Sequence, residues 1–414
     1  MKTSMFIRTA MATALLGIAG AACAETIKIA FVEGMSGPFG PIGQNIMKSY
    51  ELIMEKANKE GWSKGNKFEI VAFDTKNSPQ EALTQLKAVV DQGIRYVAQG
   101  NSSAVAYALS DAISKHNERN PGKEIIFLNN SAVDPDLTNS KCSFWHFRFD
   151  ANSDQKMEAL TTWMTNQQDI KNVYLIGQNY SFGISVANAA KTMLARKRPD
   201  IKIVGEDLHP IMQVKDFSPY IAKMKAAGAD TVITGNWGID LSLLIKAAKD
   251  ADFKANFFTF YAGTTGVPTA LGSSGEGKVH YVGNWNVNEP TMAGKDIATE
   301  FLKRYNDDYY VMATYSVVKA LSEATNKAKS IDPVKVAFAM EDLKFKSLNG
   351  EVHMRGLDHQ LQQPLVISTW TKVDGKTVKF DQEKQGYGWK SQSVQPTYVG
   401  VQPSSCMMKR PGKI

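Results

Sequence analysis

Cysteine is scarce in this chain of 414 residues: Cys23, Cys142 and Cys406 are all it has. No two of them stand at zinc-ligand spacing and the six histidines are scattered, so no metal centre is expected. There is no Gly-x-Ser-x-Gly turn to lift a nucleophilic serine from a sheet edge. The first glycine-rich turn has neither the spacing of a dinucleotide fingerprint nor a following Gly-Lys-Ser/Thr, which removes the phosphate-cradling loops. Charge of one sign is also in short supply. Lysine and arginine number 48 against 41 acids, and a surplus so small and so spread out is no nucleic-acid footprint. No apolar run reaches the about 20 residues that a membrane-spanning helix takes. The one tempting acid–base pair, Asp358-His359, has no serine or cysteine nucleophile identifiable beside it and reads as structural. No cofactor is expected, and the chain does not read as an enzyme.

The amino terminus is informative. Lys2 and Arg8 precede an apolar run from Ala10 to Ala22, and Ala22-Cys23-Ala24 is a small-x-small cleavage site. This predicts a secretory signal over residues 1–24, cut after Ala24, and an exported, soluble mature chain. The alternative, lipidation of Cys23, wants a leucine three positions earlier, where Gly20 stands. Cleavage leaves 390 residues, too many for one core and enough for two, with a charge surplus of five. In an oxidising compartment the two remaining cysteines suggest one disulfide, Cys142 to Cys406; two buried free thiols are the other reading.

Short β-rich runs alternate with amphipathic stretches. Strands are expected at Ile27–Val32, Phe68–Asp74, Tyr96–Gln99 and Ile125–Leu128, with helices at Gly43–Glu60, Ser78–Asp91 and Ala104–Lys115 between them. Ser78-Pro79 supplies an N-cap and first-turn proline, and Gly93 a stop. A second cycle of the same kind starts after Asp150. Towards the end, Gln363–Lys372 and Lys376–Phe380 read as a β-hairpin across Asp374-Gly375. The order predicts an α/β protein of two tandem units with parallel sheets, whose ligands lie outside the carboxyl ends of the strands.

That rule selects the turns. In the first, Gly34 to Gly43, Phe39 either walls a pocket or packs inward. In Gly100-Asn101-Ser102-Ser103, two serines at a helix start suit a carboxylate, although plain capping would explain one of them. Asn129-Asn130-Ser131-Ala132 adds a second polar edge. The turns of the second unit carry aromatics: Tyr180 and Phe182, then Asn236-Trp237, then Tyr261-Ala262-Gly263. Together they predict an apolar-walled pocket with a few orienting hydrogen bonds.

Several segments are similar to the leucine/isoleucine/valine-binding proteins. They include Ile27-Lys28-Ile29-Ala30, Met35-Ser36-Gly37-Pro38 with Gly43, Phe73-Asp74, Asp134-Pro135-Asp136-Leu137-Thr138, Arg148, Gln155 and Phe182-Gly183. The likeness spans nearly the whole mature chain. It implies a type I periplasmic binding fold, two doubly wound α/β lobes joined by three crossover strands near Arg148–Asp150, Val279–Asn284 and Gly350–His359. Lobe 1 would comprise 25–148 with 284–352, and lobe 2 149–283 with 353–414, tail included. It implies a periplasmic, monomeric capture protein that closes on a small carboxylate and docks on the membrane permease of an ABC importer. A sensor of the same fold, reporting to a membrane signalling protein, is the alternative.

By the same resemblance Ser102, Ser103, Asn130, Ser131 and Ala132 would hold the ligand carboxylate. Phe182 or Tyr180, Trp237 or Asn236, Tyr261 and Tyr310 would wall the other side. One departure matters. The family's amino-acid binders place a glutamate against the ligand ammonium in the turn where this chain reads Tyr261-Ala262-Gly263. A buried ammonium without an anion is costly, so either Asp240 substitutes or the ligand has no ammonium.

Overall fold

Ile29–Val32 and Ile126–Asn129 bury every side chain, alternate faces included, as strands covered by helices on both sides must. In a computed structural model, which describes residues 25–412, they are inner strands of one parallel sheet. The signal expected over 1–24 lies outside the described residues. That sheet runs β2-β1-β3-β4-β5: β1 (Thr26–Glu33), β2 (Lys67–Asp74), β3 (Tyr96–Gln99), β4 (Ile126–Asn129) and β5 (His146–Arg148). Its helices are α1 (Gly40–Glu60), α2 (Pro79–Asp91) and α3 (Ser103–Arg119). The Ser78 hydroxyl accepts from the Glu81 amide at 3.4 Å, the cap read from Ser78-Pro79.

The second unit opens with α4 (Ser153–Met164) and continues β6 (Asn172–Gln178), α5 (Ser181–Lys197), β7 (Lys202–His209), α6 (Ser218–Ala226) and β8 (Thr231–Thr234). It ends α7 (Gly238–Asp250), β9 (Asn256–Thr259), α8 (Val267–Leu271) and β10 (Val279–Gly283). The chain then returns to the first sheet. Helices α9 (Lys295–Tyr305) and α10 (Met312–Ala328) pack on α1, and Asn45 donates to the Asp308 carbonyl at 2.9 Å. After α11 (Pro333–Met340), strands β11 (Lys344–Ser347), β12 (Gly350–Met354) and β13 (Leu361–Gln362) make a small antiparallel sheet. Finally β14 (Leu365–Lys372) and β15 (Tyr387–Gln395) complete the second sheet, β15-β14-β10-β9-β8-β6-β7. This is the two-lobed type I periplasmic binding fold. In each sheet the strand order reverses beside its first strand, and the two reversal points, β1/β3 and β6/β8, mark where a ligand crevice forms.

Close approach of helix to strand end is built in twice. A Cβ on Gly43 would stand 2.0 Å from the Gly34 carbonyl oxygen, and one on Gly183 1.9 Å from that of Gln178. Only glycine lets α1 and α5 start so near the ends of β1 and β6.

Three expectations change. The partner of β14 is Tyr387–Gln395, not Lys376–Phe380. Asp374 Oδ1 accepts from the amides of Lys376, Thr377 and Val378 at 2.8 Å each, and Asn288 Oδ1 takes those of Lys379 and Phe380, so the ladder donors are already used. The third passage lies later than Gly350–His359: the chain leaves the small sheet at Gln362 and joins the second at Leu365. The tail does not stay with the second lobe. Ser404 donates to the Thr138 carbonyl at 3.1 Å, Arg410 to that of Gly356 at 2.6 Å, and Cys406 is disulfide-bonded to Cys142.

The three passages lie side by side, joined by amide side chains. Gln360 donates to the Asp150 carbonyl at 2.9 Å, Gln363 to that of Phe149 at 2.8 Å, and Asn349 to that of Asn284 at 2.9 Å.

Candidate functional site: a cleft between the lobes

Between the carboxyl ends of the two sheets lies a cleft with about 750 Å³ of empty space, its open mouth included. Side chains meet across it. The Tyr261 hydroxyl donates to the Ser131 carbonyl at 3.2 Å, the rings of Phe39 and Trp237 stand 5.2 Å apart, and Tyr310 and Thr265 share a hydrogen bond of 2.8 Å. The lobes are therefore closed on one another.

Nine of the twelve residues expected in the site line this cleft: Ser103, Asn130, Ser131, Ala132, Tyr180, Phe182, Trp237, Tyr261 and Tyr310. Three do not. Ser102 caps α3, its hydroxyl facing the Val105 amide at 3.5 Å, so of the two serines it is the plain cap. Phe39 packs on the Trp237 ring as part of the closure contact. Asn236 is fully buried beneath the turn, its Oδ1 at 3.1 Å from His209 Nε2.

The first lobe supplies the polar edge. Ser103 Oγ accepts from the Asp134 amide at 3.3 Å, which leaves its proton to donate into the cleft beside the amino terminus of α3. Asn101 Nδ2 and Asn130 Oδ1 are buried at this edge and have no partner among the described residues. The second lobe supplies rings. Trp237 Nε1 donates to the Tyr180 hydroxyl at 2.9 Å, which fixes both, and burial holds the hydroxyls of Tyr180 and Tyr261 well above the usual phenol range. Pocket walls of this kind give contact area, while a few polar groups orient the guest.

Ala262 is fully buried in the core of the second lobe and does not face the cleft; its neighbour Tyr261 does. Asp240 is fully buried and does not line the cleft, so it is not placed to stand in for the missing acid; its Oδ2 accepts from Gln178 Nε2 at 2.7 Å and from the Met212 amide at 2.8 Å. Sequence reading missed the charges that are there. Asp150 and Lys156 line the cleft, together with the uncharged Asn101, Tyr281 and Asn284. Asp150 and Asn284 stand on two of the passages between the lobes, and only that placement turns them inward. Asp358 and His359 lie elsewhere: Arg355 holds Asp358, and His359 stacks on Phe147 with centroids 4.0 Å apart.

The backbone donors at Gly100 and Asn101 are already taken. Both give to Glu33 Oε2 at 2.9 Å, and the Gly34 amide gives to Oε1 at 2.9 Å. Burial pushes the Glu33 carboxyl up to about 7, against the opposing pull of those amides. A raised pKa means that the folded state holds the proton more tightly than the unfolded one, so stability falls as pH rises from about 4.5 to 7 and the full cost stands above 7. Glu33→Gln should flatten that slope, removing roughly 3 kcal/mol of the difference between acid and mildly alkaline solution. Urea midpoints at both pH values measure it; parallel profiles for the two proteins would remove Glu33 from the account.

Comparison with known proteins agrees with this architecture. A sequence model of the family described as periplasmic binding protein matches residues 26–376. Leu/Ile/Val-binding protein homolog 4 of Brucella abortus is 34% identical over 424 residues, covering 100% of both chains. The closed crystal structure of the leucine-, isoleucine-, valine-, threonine-, and alanine-binding protein from Brucella ovis is 33% identical, covers 94% of this chain and 100% of its own, and superposes with a TM-score of 0.85. An R. palustris ABC-transporter solute binding protein in complex with 4-hydroxybenzoate shares the fold at 21% identity, with a TM-score of 0.76, over 90% of this chain and 98% of its own. Fold, cleft and full-length likeness converge: the chain belongs to the periplasmic binding protein family, among the Leu/Ile/Val-binding protein homologues.

Proposed function

We propose that this protein is the periplasmic capture subunit of an ABC importer, taking a small carboxylate with an apolar, ring-compatible body between its lobes. The observation that carries the reading is the two-sided cleft. Ser103, Asn130 and Ser131 form a polar edge on one lobe, opposite Tyr180, Phe182, Trp237 and Tyr261 on the other. In this reading residues 1–24 are cut away on export, and residues 25–148 with 284–362 face 149–283 with 365–395 across the cleft. The tail and residues 353–362 are laced to the first lobe. Hinge motion opens the cleft, and the closed monomer docks on the membrane permease.

The names of the relatives bracket the cargo. The Brucella abortus protein is named for leucine, isoleucine and valine and the Brucella ovis protein for these with threonine and alanine, whereas the R. palustris protein holds 4-hydroxybenzoate. A thermal-shift screen of amino, oxo, hydroxy and aromatic acids should find one class that raises Tm, because a ligand bound only by the folded state adds about 2.7 kcal/mol at a hundredfold excess over Kd. Mass spectrometry of the purified protein should find the same class retained. A flat screen would reject the capture role.

A further inference from the structure

Lys156 is 2% exposed and lines the cleft. It donates to Asp150 Oδ2 at 2.8 Å and lies 4.6 Å from the centre of the Tyr261 ring. An ammonium has three protons, and no further acceptor is in place for it among the described residues. Asp150 is better supplied: the Ala151 amide at 2.8 Å and Asn284 Nδ2 at 3.3 Å serve its other oxygen. The pair is thus neutral as a whole, with a spare donor and no spare charge on the acid.

We infer that Lys156, held by Asp150, is the specificity-determining residue of the cleft: it selects acids that present a second oxygen acceptor and rejects those that present an ammonium. The inference rests on the capture role and refines it. A ligand ammonium reaching for Asp150 would come against that of Lys156 in a dry site, and such like-charge contacts are expensive there. A hydroxyl, oxo or second carboxylate oxygen instead completes the Lys156 hydrogen bonds. A site built to bond an oxygen rejects the analogue that lacks it, since its own donor is then stranded. The same pair accounts for the lack of a glutamate in the Tyr261 turn, because no cation needs one.

Matched pairs test it. Leucine and its 2-oxo analogue differ only in ammonium against oxygen, as do 4-aminomethylbenzoate and terephthalate in a cation against an anion; benzoate is the unsubstituted control. Titration calorimetry on the mature protein should show the oxygen-bearing member of at least one pair bound about tenfold or more tighter than its ammonium-bearing partner. Lys156→Met alone would strand Asp150, so the variant is Lys156→Met with Asp150→Asn. It should cut that preference to under about threefold, and should change benzoate affinity less than that of the oxygen-bearing acid. Tighter binding of leucine by the wild type, or an unchanged preference in the folded double variant, would overturn the inference while leaving the capture role intact. Binding of no acid by the wild type would overturn both.

Discussion

Replacing Arg148 by methionine is expected to lower the unfolding free energy by about 4 kcal/mol or more. The side chain is fully buried at the end of β5, where the first passage between the lobes begins. Its Nε donates to Gln360 Oε1 at 2.6 Å and one terminal nitrogen to the Asp134 carbonyl at 2.5 Å, while the other bonds the Thr138 hydroxyl. Burial pulls the guanidinium down to about 10, against the nearby carboxylates of Asp134 and Asp358, so it stays charged at neutral pH. Methionine fills most of the space and supplies no donor, leaving at least two buried oxygens unpaired at about 1–3 kcal/mol each. Lysine keeps the charge but not the planar fork, and should recover less than half of the loss. Denaturant midpoints at constant m-value measure both. A loss under about 1 kcal/mol for Arg148→Met would mean that water replaces the guanidinium, and that the passage does not depend on it.

The second large effect belongs to the disulfide. Cys142 and Cys406 are joined across a sequence separation of 264 residues, which is most of the mature chain. A cross-link closing so long a loop removes unfolded-state entropy worth roughly 5 kcal/mol in the loop-closure account. Here it also anchors the tail. Lys409 pairs with Glu118, Arg410 with Glu341, and Arg355 donates to the Gln402 carbonyl, contacts that a released tail would have to hold unaided. Exposed pairs such as Lys409–Glu118 contribute little, so the tail should detach before the lobes unfold. The expected results are a Tm lowered by several degrees in reductant and in the paired Cys142→Ser and Cys406→Ser variant, with early proteolysis after residue 400. The same Tm with and without reductant would show that the tail's side-chain contacts suffice.

Both effects concern the scaffold, and the scaffold was the most legible part of this chain. Ser78-Pro79 announced a helix start, and the alternation of β-rich runs with amphipathic stretches announced parallel sheets. All of these are local signals, decided by neighbours within a few residues. The hairpin failed for a local reason as well. Asp374-Gly375 does make a turn, but Asp374 consumes the amides that a ladder needs, and the true partner strand begins only at Tyr387.

The site divides in the same way. Residues on β→α turns could be named from sequence because the strand ends dictate where those turns emerge, and nine of twelve reached the cleft. Which of two neighbours faces inward was beyond that reading: Ser103 rather than Ser102 and Trp237 rather than Asn236 depend on the exact helix start, and Tyr261 rather than Ala262 on the path of the turn after β9. The charges were further out of reach. Asp150 and Lys156 are six apart, one on a passage between the lobes and one in the first turns of α4, and nothing in their spacing predicts a buried pair. Sequence alone determined the alternating α/β units and the turns that bound a cleft, since these follow from local periodicity. The three changes of lobe came from the family resemblance and not from periodicity; only tertiary structure decided where the third falls and that a lysine stands in the cleft where an acid was sought. Contacts between residues remote in sequence, such as Arg148 with Gln360, come into being only when the lobes assemble.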